Sequence, residues 1–217
     1  YSFKADLADL DSCDSLIEQV TKQHGGVDIL INNAGRSIRR SIELSFERFH
    51  DFERTMQLNY FGALRLIMQS LPGMIAKRRG HIINISSIGV LASSPRFSAY
   101  VASKAALDAF SHCAQGELSG KGISFTTINM PLVKTPMIAP TEMYDSVPTL
   151  SPEEAADRGA RRRPRRNSPG KRASRMPSSG FTPALTRCPP PSSDSCGNAR
   201  AGEAPQRSGH LGTRSGA

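Results

Sequence analysis

The sequence predicts an α/β protein: a doubly wound parallel sheet with helices packed on its faces. Three observations carry that expectation. Short, mostly apolar runs at Val27–Ile31, His81–Ile85 and Ile123–Ile128 read as strands buried on both faces. Amphipathic stretches of helical length lie between them, so strand and helix alternate as in βαβ units. Polar or Gly-containing clusters follow the strands, at Asn32–Gly35, Ser86–Gly89 and Asn129–Thr135. In such sheets ligands sit beyond the carboxyl ends of the strands, so these clusters are where chemistry is expected.

Taken in order, Tyr1–Leu7 reads as the end of a strand running into a loop. Asp11 is a candidate cap for a helix over about 12–24, with Leu16, Ile17 and Val20 at helical spacing. His24-Gly25-Gly26 stops it. After the first apolar run, residues 46–78 form a long amphipathic stretch, a short helix followed by a long one through Leu58, Leu64, Ile67 and Leu71. Pro72 near its end is a kink site. Gly80 precedes the second strand. A loop with Pro95 leads to a helix over about 98–118, closed by Gly120 and Gly122, and the third strand follows. Pro131, Pro136, Pro140, Pro148 and Pro152 then punctuate an irregular segment before a helix start at Ser151-Pro152-Glu153-Glu154.

Composition breaks at Asp157. Residues 1–157 carry 15 Lys+Arg against 17 Asp+Glu, a net of −2, whereas residues 158–217 carry 13 against 2, a net of +11. The last 60 residues hold 8 Pro, 8 Gly and only four large apolar residues: Met176, Phe181, Leu185 and Leu211. Such a segment cannot bury enough apolar surface to offset its ordering entropy, so a disordered basic tail is expected beyond a folded body over 1–157. The break falls in mid-helix, and Arg, Pro, Gly, Ala and Ser are what a GC-rich gene yields out of frame. A frameshift product is therefore expected rather than a linker. No apolar run approaches 18 residues, which excludes a membrane-spanning helix. Cys13, Cys113, Cys188 and Cys196 are scattered, without a C-x-x-C pair. They read as reduced thiols in a cytoplasmic chain. No metal site is read.

Tyr100 and Lys104 are four apart on a predicted helix and share one face. Ser86 and Ser87 end the preceding strand, and Asn59 sits inside the long helix, where Asn is a poor helix former. Taken singly, each has a plainer reading: a surface pair, a strand-end turn, a solvent-facing amide. Taken together with Asn32-Asn33-Ala34-Gly35, the Ser87-to-Tyr100 spacing and Tyr100-Val101-Ala102-Ser103-Lys104, they resemble the active site of the short-chain dehydrogenase/reductase family. That resemblance covers about Lys4 to Pro152 and implies a Rossmann-like fold.

The resemblance also implies roles. Tyr100 supplies a proton to a carbonyl oxygen receiving hydride, Ser87 holds that oxygen, and Lys104 lowers the phenol pKa and bonds the nicotinamide ribose. Asn59 breaks the helix regularity and holds a water, completing a relay from Tyr100. Asp6 and Leu7 match the cofactor-binding pair that meets the adenine. Asn33, Ala34 and Gly35 pass the adenosine ribose, and Val133 and Thr135 meet the nicotinamide amide, with Pro131 where the family usually has Gly. The family's Gly-rich phosphate loop has no counterpart. The expectation is thus a chain truncated before Tyr1, lacking the first βαβ elements and binding nucleotide weakly or not at all. Stretches such as Phe46–Met56 and Met130–Pro140 resemble bacterial fatty acyl-CoA reductases. This implies hydride transfer from NADPH, or NADH, to a fatty acyl-CoA or fatty aldehyde, in a homo-oligomer paired through the helix near 55–78 and the Tyr100 helix. The alternatives are reduction of another apolar carbonyl compound, or an inactive fragment whose tail binds polyanions by charge alone.

Overall fold

The computed structural model describes residues 1–138, 144 and 146–161. The tail expected over 158–217 lies outside the described residues from 162 onward, as do 139–143 and 145. The first helix, α1, spans Leu10–His24. Its cap is Asp9, not Asp11: Asp9 has extended backbone, and its carboxylate accepts from the Asp11 N–H at 3.1 Å. Asp11 lies in the first turn and Lys22 and His24 in the last, matching the helix dipole. Tyr1–Leu7, read as a strand end, pairs with no strand among the described residues.

Three parallel strands follow: β1 (Ile29–Asn32), β2 (Gly80–Ser87) and β3 (Ile123–Met130), in spatial order β1-β2-β3. Asn32 lies opposite Asn84, and Ser86 opposite Asn129. β2 is central and almost wholly buried, as its apolar run requires. Between β1 and β2 run α2 (His50–Met56), a π-helical turn (Gln57–Gly62) and α3 (Ala63–Ala76). The two predicted helices are thus one rod with a wide turn inside it. Gly62 is required there, because a Cβ at that position would stand 2.0 Å from the Leu7 carbonyl oxygen.

Ser87 ends β2 and caps α4 (Ile88–Ala92), a five-residue helix where the sequence predicts a loop. Next comes α5 (Ser98–Leu118), leading into β3. The core joins Ile67, Leu71 and Met74 of α3 to Ile82, Leu107 and Ile123. A second cluster pins Cys13 and Ile17 of α1 to Leu66. Leu30 packs into these clusters, so its strand neighbours Ile29 and Ile31, 44% and 49% exposed, lie on the opposite sheet face. The last described helix, α6 (Pro152–Arg161), starts with a reciprocal capping box: Ser151 Oγ accepts from Glu154 N, and Glu154 accepts from Ser151 N. The composition break at Asp157 falls within it. Cys13 is a buried free thiol and Cys113 an exposed one, while Cys188 and Cys196 lie outside the described residues. No helix among the described residues is long and apolar enough to cross a membrane.

Candidate active site

Four of the predicted residues converge at the carboxyl end of β2. Ser87 has extended backbone, and its Oγ accepts from Gly89 N at 3.1 Å. Its one hydroxyl hydrogen is thus left for the Tyr100 oxygen or for a substrate oxygen. Tyr100, half-buried on α5, has its pKa raised, chiefly by burial, while a hydrogen bond with Ser87 pulls it down and Tyr144 pushes it up. Lys104, one turn along α5, is only 5% exposed. Its Nζ donates to the Ile85 carbonyl at 2.8 Å, and burial lowers its pKa to about 8. Burial is the largest influence on the phenol, and one Lys104 hydrogen is spent on the Ile85 carbonyl.

Asn59 lies in the π turn, buried at 1% exposure. Its Nδ2 donates to the Arg36 carbonyl at 2.8 Å and to Ser103 Oγ at 2.9 Å. Its Oδ1 accepts from Arg36 N at 2.7 Å. Both amide hydrogens are therefore used, and the side chain clamps the loop after Asn32–Gly35 to α5. The helix irregularity expected at Asn59 is present as the π turn. Gly35 lies inside this clamp: a Cβ there would come 3.3 Å from Asn59 Oδ1 and 3.4 Å from Lys104 Nζ.

The short chain dehydrogenase family matches residues 1–144, two thirds of the sequence. The chain belongs to the short-chain dehydrogenase family. A fatty acyl-CoA reductase of Acinetobacter baylyi is 65% identical over 155 residues, covering 71% of this chain and 52% of that protein. A fatty acyl-CoA reductase of Mycobacterium tuberculosis is 53% identical over 172 residues, covering 77% and 58%. The chain spans about half the length of the curated relatives it matches. Among solved structures, a short-chain dehydrogenase from Streptomyces avermitilis gives a TM-score of 0.58 at 33% identity, covering 62% of this chain and 49% of that one. A metagenomic short-chain oxidoreductase in complex with NADP gives 0.57 at 28% identity, covering 60% and 58%.

Other residues of this short-chain dehydrogenase fall apart from the cluster. Asp6 accepts from Ala8 N at 2.9 Å and its own N–H donates to Ser12 Oγ, at the entry to α1. Leu7 packs by its carbonyl against Gly62, which links that entry to the π turn. Asn33 and Ala34 are exposed at the end of β1. Val133 bridges to Leu150, and the Thr135 carbonyl accepts from Ile138 N, beyond the end of β3. The sequence reading missed Ser103, whose Oγ donates to the Tyr100 carbonyl at 2.7 Å while accepting from Asn59. It also missed two adjacent buried atoms without hydrogen-bond partners, Ser86 Oγ and Asn129 Oδ1. The available signal was polar residues continuing two apolar strands.

Proposed function

We propose that this chain carries the proton-delivery site of an NAD(P)H-dependent reductase acting on an apolar carbonyl, of the fatty acyl-CoA or fatty aldehyde class. The carrying observation is the convergence of a protonated phenol, a spare serine hydrogen and a buried amine at one strand end. The substrate class rests on the 65% and 53% identities to fatty acyl-CoA reductases.

The residues fit a nicotinamide nucleotide. Lys104 uses one of its three ammonium hydrogens on Ile85, so two remain for a ribose diol. Gly35 leaves open the space between backbone and that ammonium. Asn33, Ala34, Val133 and Thr135 are proposed as further contacts, and Asp6 with Leu7 at the adenine end. When bound, reduced nicotinamide supplies the hydride. The choice between NADPH and NADH is proposed as NADPH.

Ser87 donates its hydrogen to the carbonyl oxygen and stabilises charge as it develops. Tyr100 is protonated at neutral pH and delivers its proton to the same oxygen. The resulting phenolate is favoured by the Lys104 charge. Because the Lys104 pKa is about 8, that support fades above pH 8. Phe61 and Met68, exposed on the rod 57–76, suit the helix pairing of a homo-oligomer. The test is Tyr100→Phe in the turnover-competent protein. Aldehyde reduction is expected to fall about 10²- to 10⁴-fold with nucleotide affinity nearly unchanged. Near-parental turnover would refute the assignment.

A further inference from the structure

A second feature adjoins the Tyr100 helix without belonging to the proton-delivery cluster. An open cavity of about 490 Å³ is walled by Ser41 and Ile42, by the loop Ser93–Arg96, and by Ser98 and Val101 on the first turns of α5. Val101 follows Tyr100 directly, so the cavity opens one residue from the proposed proton donor. Its two loops are joined by a backbone hydrogen bond from Arg40 N to the Arg96 carbonyl at 2.7 Å.

Charge on these loops is one-sided. Residues 33–42 hold Arg36, Arg39 and Arg40, residues 88–99 hold Arg96, and neither stretch contains an Asp or Glu. The nearby acid is Asp51, which is 3% exposed and already shared among Arg40, Arg48, Arg54 and His50. Arg40 is anchored to it through Nε at 3.3 Å, yet its side chain stays 32% exposed. Arg36, Arg39 and Arg96 are exposed and make no ion pair among the described residues. Burial raises the Tyr144 pKa and the Arg39 charge opposes it, and the Tyr144 ring stacks on Phe97, the neighbour of Arg96. Ser93 and Arg96 both hold left-handed backbone, φ 47° and 68°, which non-glycine residues adopt only where the surroundings enforce it.

We propose that this cavity, with Arg96 in its wall and Arg39 and Arg40 on the segment that leads into Ser41, docks the phosphorylated handle of an acyl thioester, that is, the diphosphate and 3′-phosphate of a coenzyme A carrier. This deepens the proposed function and rests on it for the acyl group. Guanidinium forks match phosphate oxygens in pairs, and the hydroxyls of Ser41, Ser93, Ser94 and Ser98 add neutral donors. Ile42, Pro95 and Val101 offer apolar wall to the pantetheine arm between phosphate and thioester. The volume falls within the ordinary range of small-molecule sites, roughly 300–1,000 Å³. The chemistry distinguishes an acyl-CoA from a free aldehyde, because only the former carries phosphate.

The experiment is calorimetric titration of coenzyme A, dephospho-coenzyme A and pantetheine into the full chain, at two salt concentrations. It compares the parent with Arg39→Ala, Arg96→Ala and the double variant. Thermal melts establish that each variant is folded, and Arg39→Lys with Arg96→Lys supplies a milder pair. Coenzyme A affinity is expected to fall about tenfold or more in the double alanine variant and to lose most of its salt dependence, with pantetheine binding unchanged. Dephospho-coenzyme A should lie between the two. Equal coenzyme A affinity in parent and double variant overturns the inference, as does an equal loss for pantetheine. In the turnover-competent protein the double variant keeps its rate on a long-chain aldehyde and shows a raised KM for the acyl-CoA. Should Tyr100→Phe leave aldehyde reduction intact, the proposed function fails while the titration still decides the phosphate site.

Discussion

Two polar clusters lie within the same sheet and helices and use the same residue types, yet they differ in what they leave unspent. In the first, Asn32 Nδ2 donates to Asn84 Oδ1 at 2.8 Å, Asn84 Nδ2 donates to Ser111 Oγ at 2.8 Å, and Ser111 Oγ donates to the Leu107 carbonyl at 2.6 Å. The chain of bonds begins on β1, crosses β2 and ends on α5, so it ties three elements together. In the second, Asn59 and Ser103 are equally committed, but Lys104 keeps two donors and Ser87 keeps a hydrogen. Asn59, Ser103 and Lys104 are as buried as the first cluster, and Ser87 is half-buried. The closed seam sits within the strands; the open cluster sits at the end of β2, where a ligand can reach it. Spare hydrogen-bonding capacity, not polarity, separates structure from chemistry here.

The sharpest way to break this comparison is to remove one residue from each side. Lys104→Met is expected to lower turnover about 10²-fold or more, by taking away charge beside the phenol and a proposed ribose contact. The domain should stay folded, since a desolvated amine is replaced by an apolar chain of similar length. Steady-state rates alongside urea titrations read both effects, and unfolding without it being rescued by ligand would place Lys104 in the structural class. Asn84→Leu is the mirror case. It strands the Asn32 amide in the interior and takes from Ser111 Oγ the bond it accepts, for a loss of about 2–5 kcal/mol of stability. Adding Asn32→Leu and Ser111→Ala should restore part of it. If the triple variant is no more stable than Asn84→Leu, the seam is not a closed unit.

Protonation offers a smaller lever. Lys104 titrates near 8 when folded and near its ordinary 10.5 when unfolded. Between those values the unfolded chain retains a proton that the folded chain has released, so stability rises with pH across that window. By pH 9.5 the gain is about 2 kcal/mol. Tyr100, whose pKa burial raises, works in reverse above pH 10: the unfolded phenol ionises first and stability falls. Urea midpoints from pH 7.5 to 9.5 should climb in the parent and stay flat in Lys104→Met. Parallel curves would mean that the amine is not desolvated. Gly35→Ala is the mildest change. Its Cβ meets Asn59 Oδ1 and Lys104 Nζ at 3.3 and 3.4 Å, so stability should shift by no more than about 1 kcal/mol while nucleotide affinity drops several-fold. Unchanged affinity would remove Gly35 from the cofactor path.

The strands and main helices were legible because their signal is local: Val27–Ile31 and His81–Ile85 are apolar runs, and Leu107 and Ala114 recur on one face of α5. The Tyr100, Lys104 and Ser87 positions were legible through spacing. Asp9 is hard to single out as the cap because Asp6, Asp9 and Asp11 cluster around the start of α1, and only backbone conformation chooses among them. α4 was missed because Ile88-Gly89-Val90-Leu91-Ala92 is too short and uniformly apolar to show a period. The seam was missed because its partners are 52 and 27 residues apart. The hint was an Asn ending the apolar run of β1 and another inside that of β2, which a buried sheet tolerates only in bonded pairs.

The wide turn at Gln57–Gly62 has a consequence for chain length. On one side of it α2 packs against α5; on the other α3 packs against α1 and β2. Each residue of an α-helix turns the next by about 100°. The extra residue accommodated by the π turn therefore sets the angle between the faces that α2 and α3 present. Deleting one residue between Met56 and Ala63 would regularise the hydrogen bonding and yet swing Leu66, Ile67 and Leu71 about a quarter-turn out of the core. Loss of cooperative melting is the expected readout, and a native-like melt would show that the rod can slip. The count of residues between Thr55 and Leu66 thus functions as a stored rotation: in this stretch the sequence encodes an angle by its length.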